Sequence, residues 1–373
     1  MFVGVPKEIK SDEHRVAITP IGVRELVDRG HQVVIETGAG EGSAILDALF
    51  EAQGASIVPT AMDVFKGAEM ILKVKEPQAS EVEMFREGHL LFTYLHLAAY
   101  PALAAALAER GIVAIAYETV QMTDRSLPLL APMSEIAGRM ATQAGAHFLE
   151  KANGGKGVLL GGIPGVAPAN VVVIGGGMAG SNAAVIAMGM QANVSVLDTN
   201  IDKLRAIDSL YQGRIVTLHS NRLTIEEQVL GADLVIGTVL VPGASAPKLV
   251  TDDMVRSMQS GSVLVDVAID QGGCFETSKE TTHTDPVYLV HNVLHYAVGN
   301  IPGAVPHTST YALSNATLGY AVSLAGDGVR ESATNYPELL GGVNIVGDRV
   351  CHPAVAESLG VDYVPPREAL AGV

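Results

Sequence analysis

The sequence predicts an α/β protein of two doubly wound domains with a cleft between them. Three observations carry this. Short, branched apolar runs alternate with helical patterns along most of the chain, the mark of parallel strands joined by crossover helices. The alternation starts again after about residue 130 with a second, nearly complete set. The length of 373 residues is too great for one core and suits about two domains.

In the first set, strands are expected at residues 2–5, 32–36, 56–58, 70–75, 89–96 and 112–117. Helical patterns lie at 21–29, 46–53 and 101–110. Together they predict a parallel sheet covered on both faces. The second set opens with a long helix over 134–151. Strands follow at 171–174, 194–197, 215–219, 234–239, 262–269 and 288–290, close to a six-stranded dinucleotide-binding sheet. This set is exhausted near Pro302. Roughly 70 residues remain, opening with a helical pattern over 310–324, and they are too few for a comfortable domain of their own. The expected solution returns them to the first domain. Residues 1–129 and 307–373 then form one discontinuous domain, with 130–306 inserted as the nucleotide-binding one.

The most informative stretch is VVVIGGGMAGSNAAVIAMGMQANVSVLDTN, residues 171–200. An apolar strand runs into Gly175, Gly177 and Gly180, spaced G-x-G-x-x-G. Gly175 permits the tight turn, Gly177 lets a pyrophosphate approach the backbone, and Gly180 lets helix and strand pack closely. The following helix offers free N–H groups and partial positive charge at its N-terminus. A second apolar strand then ends in Asp198, roughly 20 residues on, where a carboxylate accepts ribose hydroxyls and repels a 2′-phosphate. The complete unit predicts a Rossmann-like domain that binds NAD rather than NADP. Nothing in the sequence gives Asp198 a structural reason to be there.

Composition narrows the partners. A net charge of −16 argues against nucleic acid and anionic membrane. The two cysteines, Cys274 and Cys351, lack C-x-x-C spacing, so neither a disulfide framework nor a thiolate metal site is expected. Asp124, Glu118 and Asp327 have no ligand spacing, and no metal is expected. The apolar stretches 90–108 and 157–197 are broken by His96, Pro101, Asn170, Asn182 and glycines, so they predict buried core rather than a membrane span. With no signal-peptide pattern at residues 1–10, a cytoplasmic protein is expected.

Ligands of open parallel sheets bind beyond the carboxyl ends of strands. That rule selects four polar residues. Arg15 follows the first strand, Lys75 ends the strand at 70–75, His96 ends that at 89–96, and Asp270 follows that at 262–269. Each has a plainer reading: a surface cation, a cation interchangeable with Lys73 two residues away, a satisfied core histidine, and a turn aspartate.

With their neighbours, these residues resemble the L-alanine dehydrogenase family. The matching motifs are GVPKEIKSDEHRVAITP at 4–20, GAGEGSAI at 38–45, LKVKEP at 72–77, FTYLHLA at 92–98, APMSEIAGR at 131–139, VDVAIDQGGCFE at 265–276 and TSTYALSNAT at 308–317. They cover nearly the whole chain. The N-terminal motif is also similar to the NAD-binding portion of proton-translocating transhydrogenases, which lack the histidine at position 96. The resemblance implies that Arg15 and Lys75 bind the substrate carboxylate and carbonyl region, and that His96 and Asp270 form the acid–base pair. It implies an NAD site that includes Ser134, Met178, Ala179, Asp198, Lys203, Ser220, Val239, Leu240, Val267, Ala268, Ile269, Asp270, Lys279, Val298, Gly299, Asn300 and Ile301. The implied substrates are L-alanine, pyruvate and ammonia, and the implied assembly is a homohexamer. A transhydrogenase-like NAD-binding subunit and a non-catalytic NAD sensor are the alternatives.

Overall fold

The computed structural model describes residues 1–239 and 246–371. These divide into two compact units, Met1–Met133 with Val305–Val373, and Ser134–Ala304. Along the chain, the first unit contributes β1 (Phe2–Val5), β2 (Gln32–Glu36), β3 (Ser56–Val58), β4 (Met70–Leu72), β5 (Leu90–Thr93) and β6 (Val113–Ala116). The second contributes β7 (Asn170–Ile174), β8 (Asn193–Asp198), β9 (Val216–His219), β10 (Leu234–Gly237), β11 (Val263–Asp266), β12 (Val287–Val290) and β13 (Val293–Tyr296). The chain then returns to the first with β14 (Val343–Val346) and β15 (Arg349–Val350).

The sheet of the first unit runs β15-β14-β6-β5-β4-β1-β2-β3. Its strands β1 to β6 are mutually parallel and have the doubly wound order 3-2-1-4-5-6. Residues of β4, β5 and β6 are all buried, because helices cover both faces of a parallel sheet and leave no polar side. Two strands were not expected from the sequence. The hairpin β14–β15 adds antiparallel to β6 and makes the sheet mixed. The helix expected over 310–324 is part of a longer one, Pro306–Asn335, interrupted where Gly328 takes φ 74°. Its buried hydroxyls serve the loop after β1: Thr310 Oγ1 accepts the Val16 N–H at 3.1 Å, and Ser314 Oγ accepts the Thr19 N–H at 3.3 Å. The late motif therefore fixes the segment that follows Arg15.

The sheet of the second unit runs β12-β13-β11-β10-β7-β8-β9. Taken in chain order, β7, β8, β9, β10, β11 and β13 repeat the order 3-2-1-4-5-6. The sixth parallel strand is β13, not the 288–290 segment, which forms the antiparallel edge strand β12. His291 and Asn292 make the turn between them at φ 51° and 62°, as a two-residue hairpin requires. The core beneath the glycine fingerprint joins Val171, Val173, Ala183, Ala187, Val194 and Val196 to Ala137 and Ala141 of the helix Ala131–Phe148.

Several strands stop earlier than their apolar runs. The runs 70–75, 89–96 and 262–269 end as strands at Leu72, Thr93 and Asp266. In each case a carboxylate takes backbone N–H groups just beyond the strand: buried Glu8 for Val74, half-buried Glu118 for Leu95 and His96, and buried Asp266 for Ala268. The chain leaves the ladder at the places where functional side chains were expected.

Candidate active site

In the first unit the order reverses between β1 and β4, and ligands of such sheets bind beyond the strand ends at that switch. Arg15 follows β1. It is not a surface cation: only 2% of it is exposed. Its Nε and Nη2 donate to Glu13 Oε1 and Oε2 at 2.6 and 2.5 Å, and its Nη1 lies 3.0 Å from Met133 Sδ. The pair is bidentate and fixes the guanidinium plane. Burial is the largest single influence and works to raise the Glu13 carboxyl, but the charge and hydrogen bonds of Arg15, with the charge of Lys75, together hold Glu13 at about 2. Glu8, Glu13 and Arg15 line a cavity of about 180 Å³ together with Lys7, His14 and the loop 38–42.

Lys73 and Lys75, equivalent in the sequence, separate in the structure. The Lys73 ammonium is fully buried, 3.0 Å from Glu8 Oε2 and 2.6 Å from Glu81 Oε1. Burial opposes its charge, and the two carboxylates more than restore it. Lys75 is half-buried at the end of the same segment.

His96 is not a core histidine. It is exposed, two residues past a buried Tyr94, with φ 50° in the left-handed region. Its ring stacks on Tyr94, with centroids 6.2 Å apart and planes 4° from parallel. Tyr94 in turn donates to the Leu129 carbonyl at 2.6 Å; burial pushes its phenol up, and the nearby Arg15 draws it back only in part. Glu118, just past β6, accepts the His96 N–H at 2.5 Å and lies 3.8 Å from the ring Nδ1. Glu118 was read from the sequence only as a poor metal ligand. Its place at the carboxyl end of a strand, the rule that selected His96, was the signal for it. The first unit thus gathers Arg15, Lys75 and His96 on consecutive strand ends of one sheet.

The second unit has its own switch, between β7 and β10. Gly175 has φ 106°, and its carbonyl accepts Thr238 Oγ1 at 2.9 Å. A Cβ on Gly180 would lie 1.7 Å from the Gly175 carbonyl, so this glycine is the close-packing one. A Cβ on Gly177 would meet nothing within 4 Å: the space above it is open. Gly177 caps the helix Met178–Gly189, and Met178 at its first position is exposed. An open glycine cradle at a helix N-terminus fits a diphosphate.

Asp198 does have a structural reason to be there. Its Oδ2 accepts the Gly176 N–H at 2.7 Å, and Oδ1 accepts the Asn200 N–H at 2.8 Å. It braces the glycine loop. Lys203 Nζ lies 3.5 Å from the same carboxylate, and the Ser220 N–H donates to the Asp198 carbonyl at 3.0 Å. Val239 follows β10 beside Gly175. Ser134 is half-buried on the helix Ala131–Phe148, whose Gly138 packs against the backbone of Ala179. Leu240 lies outside the described residues.

Asp270 is exposed on a short turn, Ile269–Gln271, past β11. The turn is held by Asp266, which accepts Ala268 N–H at 3.1 Å, Cys274 N–H at 2.8 Å and Ser278 Oγ at 2.5 Å. The aspartate that shapes this loop is therefore Asp266, and Asp270 is left facing outward. A Cβ on Gly299 would lie 3.2 Å from Asp270 Oδ1, so the segment holding Val298, Gly299, Asn300 and Ile301 adjoins it. Val298, Ile301, Ala268 and Ile269 bury their side chains, and Val267 is half-buried, so these positions would meet a ligand mainly through backbone. Lys279 is exposed.

Comparisons with known proteins agree on the family. The chain matches the family models described as alanine dehydrogenase/PNT, N-terminal domain, over residues 4–137, and alanine dehydrogenase/PNT, C-terminal domain, over residues 141–353. An alanine dehydrogenase of Methanococcus maripaludis is 57% identical over 371 residues, 99% of this chain and 100% of the relative. A solved L-alanine dehydrogenase is 50% identical with a TM-score of 0.94, covering 96% of this chain and 99% of that one. The transhydrogenase from Sinorhizobium meliloti is 28% identical with a TM-score of 0.82, covering 95% of this chain and 100% of that one. The chain belongs to the alanine dehydrogenase/PNT family.

Proposed function

We propose that this protein is an NAD-dependent L-alanine dehydrogenase, catalysing L-alanine + NAD⁺ + water ⇌ pyruvate + ammonium + NADH + H⁺. One observation carries the choice within the family. His96 is exposed, stacked on Tyr94 and held at its backbone N–H by Glu118, in the unit that also holds Arg15 and Lys75. A nucleotide-binding protein without acid–base chemistry has no need of such a histidine.

Arg15 and Lys75 bind the substrate carboxylate and carbonyl oxygen. Glu13 holds the guanidinium flat and charged, so the reacting Cα is presented in one orientation. NAD, held by the glycine loop and Asp198, supplies the hydride acceptor. Oxidation at Cα leaves an iminium, which water attacks. His96 takes a proton from that water and returns one to the departing ammonia, a task for which imidazole is suited near neutral pH. Asp270 supplies negative charge toward the cationic iminium and shares the proton transfers. Asp198 disfavours a 2′-phosphate and selects NAD over NADP. No helix among the described residues is long and apolar enough to cross a membrane. We take the enzyme to be cytoplasmic, as its cysteine usage suits, and a homohexamer, as the family resemblance implies.

The test follows NADH absorbance with NAD⁺ and a panel of amino acids. L-alanine should give the highest kcat/KM, with pyruvate and ammonia consumed in reverse. NAD binding with no amino-acid-dependent NADH would favour the transhydrogenase-like reading instead.

A further inference from the structure

The buried cluster behind Lys75 is larger than packing requires. Glu8 follows β1 and is 8% exposed. One carboxylate oxygen, Oε1, accepts the Val74 N–H at 2.6 Å and the Lys75 N–H at 3.4 Å. The other, Oε2, accepts from Lys73 Nζ at 3.0 Å. Lys73 also donates to Glu81 Oε1 at 2.6 Å, and Glu81 Oε2 accepts the Gln78 N–H at 2.8 Å at the start of the helix Ala79–Val82. Two carboxylates and one ammonium are thus withdrawn from water at a considerable desolvation cost. Apolar side chains of similar volume hold a core equally well, so such a cluster is weak evidence for stability. What apolar side chains cannot do is capture peptide N–H groups where a strand stops.

We propose that Glu8 is a positioning residue for substrate binding: it fixes the backbone of residues 73–75 from one carboxylate and thereby sets where Lys75 points. The proposal rests on the substrate role given to Lys75 above. Glu8 touches no substrate. It lines the same cavity as Glu13 and Arg15, so one buried carboxylate references Lys75 to the frame that holds Arg15. Lys73 is the anchor: its ammonium holds Glu8 in this rotamer, and Glu81 ties the anchor to the next helix. The two cations that grip one carboxylate substrate are then kept at a fixed spacing.

The experiment is a double-mutant cycle on the full enzyme, read in the reductive direction as KM for pyruvate, KM for NADH, kcat and thermal midpoint. The proteins are wild type, Glu8→Gln, Lys75→Ala and the double variant. Glu8→Gln should raise KM for pyruvate about tenfold with KM for NADH within about twofold of wild type. On the Lys75→Ala background the same change should cost less than about twofold, because the residue it positions is gone. Equal losses in both backgrounds, or an unchanged pyruvate KM, overturn the proposal and leave Glu8 a packing residue. Should Glu8→Gln fail to fold, Glu8→Asp is read in its place. It keeps the charge beside Lys73 but withdraws the oxygen from the Val74 N–H, and the same pattern is expected. Wild-type enzyme that fails to consume NADH with pyruvate and ammonia overturns the proposed function, and this inference with it. That failure is recognised in the wild-type arm before any variant is compared.

Discussion

A single oxygen of Glu118 serves His96 twice: Oε1 accepts the His96 backbone N–H at 2.5 Å and lies 3.8 Å from the imidazole Nδ1. The contact explains how an exposed histidine keeps φ 50°, a conformation costly for a residue with a Cβ. Removing the carboxylate frees the His96 backbone that carries the ring. Glu118→Ala should lower kcat about 100-fold by misplacing the imidazole, while NADH affinity stays within about twofold. Turnover within a factor of about two of wild type would show that Glu118 does not orient His96.

The glycines of the fingerprint predict opposite phenotypes. An alanine at 180 would place its Cβ 1.7 Å from the Gly175 carbonyl, which only a backbone shift can relieve. Gly180→Ala should lower the thermal midpoint by several degrees, matching an overpacking cost of roughly 1–3 kcal/mol. An alanine at 177 meets open space, so Gly177→Ala should melt like wild type. It should nevertheless bind NAD at least tenfold more weakly, since the methyl group occupies the phosphate's approach. Melting curves and a fluorescence titration with NADH separate the two.

Asp198 braces Gly176, and the proposed function gives it a second job at the ribose; two substitutions divide the two. Asp198→Ala loses both the ribose acceptor and the brace on Gly176, and should weaken NADH strongly. Asp198→Asn keeps an acceptor oxygen for Gly176 but drops the charge that repels a 2′-phosphate, while Lys203 remains 3.5 Å from that position. It should narrow the NADH-over-NADPH preference by about tenfold or more, a change of about 1.4 kcal/mol. Measured dissociation constants for both nucleotides decide this. An unchanged preference would remove Asp198 from cofactor selection.

Acid sensitivity has a named source in the first unit. His89 packs between Phe65 and Phe85 and is buried. Burial, then the nearby Arg86 charge, lowers its pKa from 6.5 to about 4. The unfolded chain takes up this proton near pH 6.5 and the folded one does not. Stability therefore falls as pH drops from about 6.5 to about 4, and levels off below. His89→Phe loses the bond from the Arg86 N–H, so its midpoint at pH 7 should be lower. Its midpoint should, however, fall less between pH 7 and pH 5 than that of wild type. Urea denaturation at the two pH values gives the comparison.

Much of this was legible in the sequence, for definite reasons. Strand periodicity and the glycine spacing marked β7 and β8, and the strand-end rule singled out Arg15, His96 and Asp270. The hairpin turn at His291–Asn292 was missed because neither residue is glycine, so β12 was taken for the sixth parallel strand. The short strands β14 and β15 have too few residues to show a period. Strand ends were overrun because an apolar run does not reveal a carboxylate that captures its last N–H groups. Glu8, Glu118 and Asp266 all act this way, and all three went unselected. Lys73 and Lys75 were indistinguishable for a related reason. Two residues apart they share a pattern, and only the position of Glu8 and Glu81 decides which is buried.

The proposed function turns on His96 as the group that performs the proton transfers. NADH production from L-alanine and NAD⁺ by wild type and His96→Ala, with NADH affinity measured on both, tests that role. The wild type should produce NADH steadily. The variant should lose at least 100-fold in kcat, the scale of a lost general acid–base group, with NADH affinity unchanged within about twofold. A variant that keeps wild-type turnover would contradict it.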